Sequence, residues 1–403
     1  MLRPMEGIRV LEVAEWFFVP GAGTVLADWG ADVIKIEHPV RGDPLRGLIS
    51  SGIIPGAYGL NFFVENGSRN KRSIGLDLAT DKGREVFYRL VEHADVVLTS
   101  FLPAARRKLK IDYDDVKKIN PRIIYAKGSG QGPKGPECER GGFDAGSFWS
   151  RGSVAHMLTE PGKPPIMQRA AFGDTIGATF IAGGIAAALF QRERTGQGCT
   201  VDVSLLGTAV WLMAPDILAA ILLGHELPHN DHSRSPNPLM KAYRCKDETW
   251  LMLMMLTPQR HWDEFCKAIE REDLLQEYPL IKWIDENVRF ELARIIGDHL
   301  ATRTRQEWID RLLQYDTIHA PVQTPKEIPN DPQVIANQYL VGYTHPTHGE
   351  FKVAASPVQF DGEPTSVRRV APDPGQDTEE VLLDLLGMSW EDIGELKEKQ
   401  VIS

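Results

Sequence analysis

Short apolar runs and helical patterns alternate through the first 126 residues, and this alternation limits the fold more than any other property of the chain. Ile8–Val13 reads as a strand, Pro20–Trp29 as a helix and Asp32–Ile36 as a second strand, a βαβ unit with a short crossover. Ile74–Leu76, Asp95–Thr99 and Arg122–Ala126 read as further strands. Between them lie an amphipathic helix over 80–94, with Val86, Phe87, Leu90 and Val91 on one side, and a helix over Tyr113–Ile119. Strands alternating with helices predict a parallel sheet with helices on its faces. The expected fold class is α/β, with a Rossmann-like large domain and a smaller α+β domain.

The character of the chain shifts after Leu223. Gly224–Pro238 is polar and rich in His, Asn, Ser and Pro, the composition of a linker or mobile loop. Trp250–Leu256 reads as a strand, followed by helical patterns at 258–270, 287–301 and 304–315. Residues 325–331 read as a return connection, followed by short strands near 339–343 and 350–354 and a helix over 377–386. The expected division is 1–223 for the large domain, 224–330 for the small one, and 331–403 for a segment returning to the first.

Composition excludes several classes. A net charge of -10 argues against a nucleic-acid footprint, which needs a concentrated basic face. The longest apolar run, Thr175–Phe190, reads as too short and too rich in Gly and Ala to span a membrane. Met1–Glu6 lacks the apolar core of a signal peptide. Cys138, Cys199, Cys245 and Cys266 are scattered without C-x-x-C spacing, which fits a reducing, cytoplasmic setting with no disulfide framework and no zinc site.

The candidate chemistry centres on Asp174. The run Thr175–Arg194 reads as an apolar helix with basic residues near its end and Gly196 and Gly198 to stop it. Asp174 then falls at its N-cap, where its carboxylate would accept free backbone N–H groups and the helix dipole would favour its charge. A lone Asp there is normally only a cap. This helix is apolar nearly all round, so its start is expected inside the protein, and a buried carboxylate needs a reason. An ionised, pinned carboxylate suits a nucleophile.

Other motifs are weaker. Pro20-Gly21-Ala22-Gly23 is an incomplete dinucleotide fingerprint: position 26 is Leu, and Glu37 comes too early for the ribose acid. Gly21 and Gly23 are read as close-packing positions. Arg69–Ser73 and the cluster Arg106, Arg107, Lys108 and Lys110 are basic segments at strand ends, suited to a phosphorylated ligand. His225, His229 and His232 with Asp231 lie close together but match no standard zinc spacing, and no metal is expected.

Taken in order, these pieces resemble the family III CoA-transferases, the CaiB/BaiF group that includes formyl-CoA and carnitine CoA-transferases. The resemblance runs nearly end to end. It rests on Gly7–Glu12, Leu26–Glu37, Gly42–Arg46, Asn70–Ile74, Asn120–Tyr125, Gly142-Phe143-Asp144, Gly173-Asp174 and Thr195–Gly198. It implies that Asp174 is the nucleophile and that coenzyme A enters as an acyl-CoA substrate, with no tightly bound cofactor. Backbone N–H groups near Gly173 would stabilise the oxyanions. The implied CoA contacts are Trp16, Phe17, Asn70, Lys71, Arg72, Phe101 and Lys108, with Arg46, Asp144 and Gly173 in the matching motifs. The family also implies an interlocked homodimer acting on a small acyl-CoA and a carboxylic acid. The same fold hosts α-methylacyl-CoA racemase, whose pattern Gly-His-Asp stands where this chain has Gly142-Phe143-Asp144. Phe143 cannot move a proton, and His156 lies further on. A non-catalytic CoA-binding protein is the third reading, and a nicotinamide dehydrogenase trails. Phe143–Gly152 and Ser235–Pro238 look most like the branch acting on aryl-lactate and other 2-hydroxy acids. Trp16, Phe17, Phe18, Phe148 and Trp149 point to a bulky acyl group.

Overall fold

The computed structural model describes residues 2–52, 59–228 and 235–403. Six strands form the main sheet: β1 (Arg9–Val13), β2 (Asp32–Glu37), β3 (Arg72–Gly75), β4 (Val96–Thr99), β5 (Ile124–Ser129) and β6 (Thr200–Ser204). They run parallel in the order β3-β2-β1-β4-β5-β6. Leu11 lies between Ile34 and Val97 in register. The order reverses between β1 and β4, and the crevice outside the carboxyl ends of those strands is where open α/β sheets take ligands.

Among the described residues these strands are accompanied by α1 (Phe18–Asp28), α2 (Phe62–Ser68), α3 (Asp81–Glu92), α4 (Pro103–Leu109), α5 (Tyr113–Ile119), α6 (Val154–Met157), α7 (Phe172–Thr195), α8 (Leu205–Leu212) and α9 (Ala214–Leu223). The start of α3 is set by Thr80, whose hydroxyl accepts the Gly83 N–H. Its apolar face buries Phe87 and Leu90 completely against Leu11, Ile34 and Val97. Each such side chain contributes about 1.5–3 kcal/mol by leaving water. The C-terminal helices Thr378–Leu386 and Trp390–Glu398 add Val381, Leu382 and Ile393 to the same core. The edge strand β3 is covered as well. Ser73 N–H donates to Asp377 at 2.7 Å, Gly75 N–H donates to the Thr378 hydroxyl at 3.0 Å, and Leu76 bridges Ile402. That removes a free edge.

The long apolar helix differs from the sequence reading at its start. It begins at Phe172, Ala171 occupies the N-cap with φ 65°, and Asp174 lies in the first turn. Its 24 residues are long and apolar enough by length and composition to cross a membrane, unlike the shorter run read from the sequence. In the fold it packs on α1, β5 and β6. Gly196, at φ 72°, ends it as expected.

The chain divides into two compact units, 1–156 with 166–227 and 335–403, and 157–165 with 228–334. The first also holds the antiparallel pair β10 (Leu340–His345) and β11 (Gly349–Ala354). The second contains the antiparallel strands β7 (Met240–Arg244), β8 (Trp250–Met254) and β9 (His319–Val322), in that order. Its core gathers Trp262, Phe265, Leu292, Ile296 and Trp308. The Trp308 indole N–H is satisfied by Leu300 O at 2.7 Å. His229, Asp231 and His232 lie outside the described residues.

Candidate active site

A buried ionic frame shapes the exit from β1. Glu12 is wholly buried and accepts Lys71 Nζ at 2.7 Å and Lys35 Nζ at 3.3 Å. Lys71 also donates to Pro20 O and Gly67 O at 2.7 Å each. Lys35 donates to Ala14 O at 2.9 Å and Asp43 at 2.8 Å. Charges this deep persist only when paired. Burial pulls the Lys71 amine down to about 8. Burial acts on Lys35 in the same sense, but Asp43 and Glu12 outweigh it and hold that amine above its ordinary value. A Cβ on Gly23 would stand 1.8 Å from Glu12 Oε2, and one on Gly21 would stand 3.1 Å from Ala178 Cβ. Both glycines therefore serve close packing. Asp43 Oδ1 accepts Trp16 N–H at 3.0 Å and Leu45 N–H at 2.9 Å. That pins the loop after β1 with Trp16 at φ 68°.

Several residues expected to contact CoA are engaged by other groups of the protein. Lys71 has no exposed surface. Asn70 donates to Asp28 at 2.8 Å and Ser366 O at 2.9 Å, and accepts the amides of Arg368 and Arg369. Arg72 grips Asp32 at 3.0 and 2.7 Å. Arg46 forks onto Glu37 at 2.8 and 2.7 Å. Burial opposes the Glu37 charge, but Arg46, Lys35 and Ser73 outweigh it and hold that carboxyl at about 2. Phe17 packs edge-on against Phe63, with ring centroids 5.9 Å apart. The basic loop thus pairs with the protein's own carboxylates Asp28, Glu12 and Asp32. In the second cluster Arg106 is held by Asp112 and Phe101 O, and Arg107 by Glu139, while Lys108 is exposed on α4.

Two clefts open at the carboxyl ends of the strands. The smaller, about 90 Å³, lies beside β1, β2 and β3, where His38, Arg41 and Leu76–Ala79 face Glu15 and Phe101. The larger, about 410 Å³, is lined by Trp16, Phe18, Leu102, Phe143, Leu205 and Asp174, with Gly128, Gly130, Gly141 and Gly142 among its walls. Glu15 and Phe101 line both. Of the expected site residues, the larger cleft brings together Trp16, Phe101 and Asp174. Glu15, His38 and Arg41 were missed, although each follows directly on β1 or β2, where the strand-end rule points. Burial, then the charge of Asp43, raises the Glu15 carboxyl above its usual range.

Asp174 is held differently from its expected role. The cap of α7 comes from Asp144, at the head of a π-helical turn (Ala145–Ser150), whose two oxygens each lie 3.1 Å from Gly173 N. Gly173 must be glycine here, because a Cβ would meet the Phe148 ring at 2.2 Å and Asp144 Oδ1 at 2.6 Å. The Gly173 N–H that was expected to steady an oxyanion therefore already serves Asp144. Asp174 is not a pinned, readily ionised cap: burial, then the nearby Asp144 charge, pushes its carboxyl up to about 7. Phe143 is 65% exposed and meets the Trp16 indole edge-on. His156 bonds Glu226 at 2.9 Å and is absent from the cleft lining.

A doubly wound sheet with a perturbed carboxyl at its crevice is the frame of an α/β enzyme acting on a small ligand. The model of CoA-transferase family III matches residues 5–378, and the chain belongs to that family of transferases. It is 33% identical to an (R)-2-hydroxy-4-methylpentanoate CoA-transferase of Clostridioides difficile, covering 99% of both chains. It is 33% identical to a cinnamoyl-CoA:phenyllactate CoA-transferase of Clostridium sporogenes, covering 98% of this chain and 97% of that one. Among solved structures, a CaiB/BaiF family protein from Brucella suis matches with a TM-score of 0.82 at 24% identity, over 96% of this chain and 100% of that one. A Mycobacterium tuberculosis protein matches with a TM-score of 0.78 at 26% identity, over 94% and 98%.

Proposed function

We propose that this enzyme moves CoA from an acyl-CoA donor to a bulky, apolar carboxylic acid, with a 2-hydroxy acid as acceptor, through covalent states on Asp174. The observation that carries this reading is the Asp174 carboxyl itself, free of a cap and opening into an apolar cleft at the switch point of the sheet. Asp174 Oδ attacks the donor thioester carbonyl, the C–S bond breaks, and CoA thiolate leaves a mixed anhydride behind. The thiolate attacks Asp174 Cγ, expels the donor carboxylate and forms an aspartyl-CoA thioester. The acceptor carboxylate then attacks Asp174 Cγ and releases thiolate. The thiolate takes the acceptor acyl group from this second anhydride, and the Asp174 carboxylate is regenerated.

CoA is long, and the two clefts share Glu15 and Phe101. The nucleotide end suits the His38 and Arg41 side, and the thioester the Asp174 side. Trp16, Phe18 and Phe143 favour an apolar acyl group, in line with the branched and aromatic acids named for the two relatives. The enzyme works as a homodimer. α9 has no buried residue, yet it carries Leu218, Ile221, Leu222 and Leu223, an apolar surface suited to a second copy.

The test is intact mass after mixing with cinnamoyl-CoA, 4-methylpentanoyl-CoA, succinyl-CoA and formyl-CoA, read before and after hydroxylamine is added, which releases CoA and leaves a hydroxamate on Asp174. A CoA-sized adduct that disappears in Asp174→Ala is expected, strongest with the two apolar donors. No adduct from any donor, with solvent deuterium entering the α-carbon instead, would overturn the transfer reading in favour of a racemase.

A further inference from the structure

Asp144 stands outside the cleft lining, buried at the start of α7. Besides Gly173 N–H, the amides of Phe172 and Asp174 and the Gln168 side chain donate to it. Burial raises the Asp144 carboxyl against the pull of these donors, and its charge meets that of Asp174 at the electropositive end of the helix. Among the described residues, burial and Asp144 are the influences that act on the Asp174 carboxyl. Among the described residues lining the cleft, the only other ionisable side chain is Glu15, also an acid. On the neighbouring strands Lys127 of β5 is held by Asp202 of β6 at 3.0 Å. α1 and α8 contain no cation.

We propose that Asp144 is a positioning residue that fixes the start of α7 and, by its charge, disfavours the free Asp174 carboxylate relative to the covalent states of Asp174. The inference rests on Asp174 being the nucleophile. When the donor acyl group bonds to Asp174 Oδ, the negative charge leaves with CoA thiolate. When the thiolate then bonds to Cγ, the charge leaves with the donor carboxylate. Asp174 is neutral in both products, so the repulsion that Asp144 exerts on the free carboxylate is absent from both. Burial and the Asp144 charge together raise Asp174, which is the sign this arrangement requires. The gain is in the resting level of the covalent enzyme, not in direct contact with substrate.

The experiment labels the substrate-free enzyme with a water-soluble carbodiimide and glycine ethyl ester from pH 4 to 9, reading Asp174 by peptide mass. Wild type, Asp144→Asn and Asp144→Ser are compared, since both variants keep an oxygen for the Gly173 amide. The expected midpoint for Asp174 lies near neutrality in wild type and falls by roughly one pH unit or more in the variants. With cinnamoyl-CoA or 4-methylpentanoyl-CoA, the CoA-adduct fraction at pH 7.5 falls about tenfold in Asp144→Asn. A wild-type midpoint in the ordinary carboxylate range overturns the proposal even if neither variant folds. An unchanged midpoint in folded variants overturns it too. The expected titration without any adduct on wild-type Asp174 would instead sink the covalent reading beneath it.

Discussion

The Trp16 indole meets the Phe143 ring edge-on, with 5.3 Å between centroids and 83° between planes, at the mouth of the cleft that holds Asp174. An aromatic pair adds about 0.5–1.5 kcal/mol beyond the area it buries. An acyl chain entering the cleft passes these rings. Phe143→Ala is expected to cut kcat/KM for cinnamoyl-CoA and 4-methylpentanoyl-CoA by about 10-fold while changing formyl-CoA little. A steady-state panel reads this. An equal loss for all donors would show that the pair does not select.

The raised carboxyl of Asp174 makes a stability prediction with a definite sign. Its folded value is about 7, against about 3.9 in an unfolded chain. Between those values the native state holds the proton more tightly, so stability drops as pH rises through that window, and the full penalty applies above it. Asp174→Asn removes the penalty. The variant should outlast wild type in urea at pH 8 by on the order of 1–2 kcal/mol, allowing for the solvent side of the group, and match it near pH 4. An identical difference at both pH values would contradict this account of the carboxyl.

Gly23→Ala sets two effects against each other. Helix propensity alone favours Ala by about 1 kcal/mol. The new methyl, however, would stand 1.8 Å from Glu12 Oε2, inside the ion pair with Lys71. Overpacking of this kind costs about 1–3 kcal/mol, and here it also displaces a buried charge. A net loss in urea denaturation is expected, and a net gain would mean that the frame yields easily.

The proposed homodimer is tested on α9. Ile221 and Leu222 are 72% and 74% exposed in the single chain. Ile221→Glu with Leu222→Glu should shift sedimentation toward the monomer and leave the circular dichroism of the fold intact. Dimers of undiminished affinity would place the interface elsewhere.

The large sheet was legible because each strand is a short apolar run beside a patterned helix. β1, β2, β4 and β5 lie where their runs place them, and α3 and α5 follow their periodicity. β6 was missed: Thr200-Val201-Asp202-Val203 is brief and carries an acid, and its place beside β5 is fixed only by pairing. Asp174 stands out in the sequence because a lone acid opens an apolar helix. The cap of that helix was not legible, since Asp144 lies 29 positions from Gly173 and reaches it only through the fold. The internal partners of the basic loop were hidden for the same reason. Sequence shows Lys71 and Arg72 as cations, while their partners Glu12 and Asp32 lie on other strands.

Trp16 keeps a left-handed backbone, φ 68°, because Asp43 holds its amide. For a bulky L-residue that conformation costs about 1–2 kcal/mol, and only glycine adopts it freely. The ring that narrows the acyl cleft therefore occupies a place the main chain would rather give to no side chain at all. Heat tolerance and discrimination pull in opposite directions at this position. Glycine at 16 would relieve that cost and remove the ring from the cleft wall together.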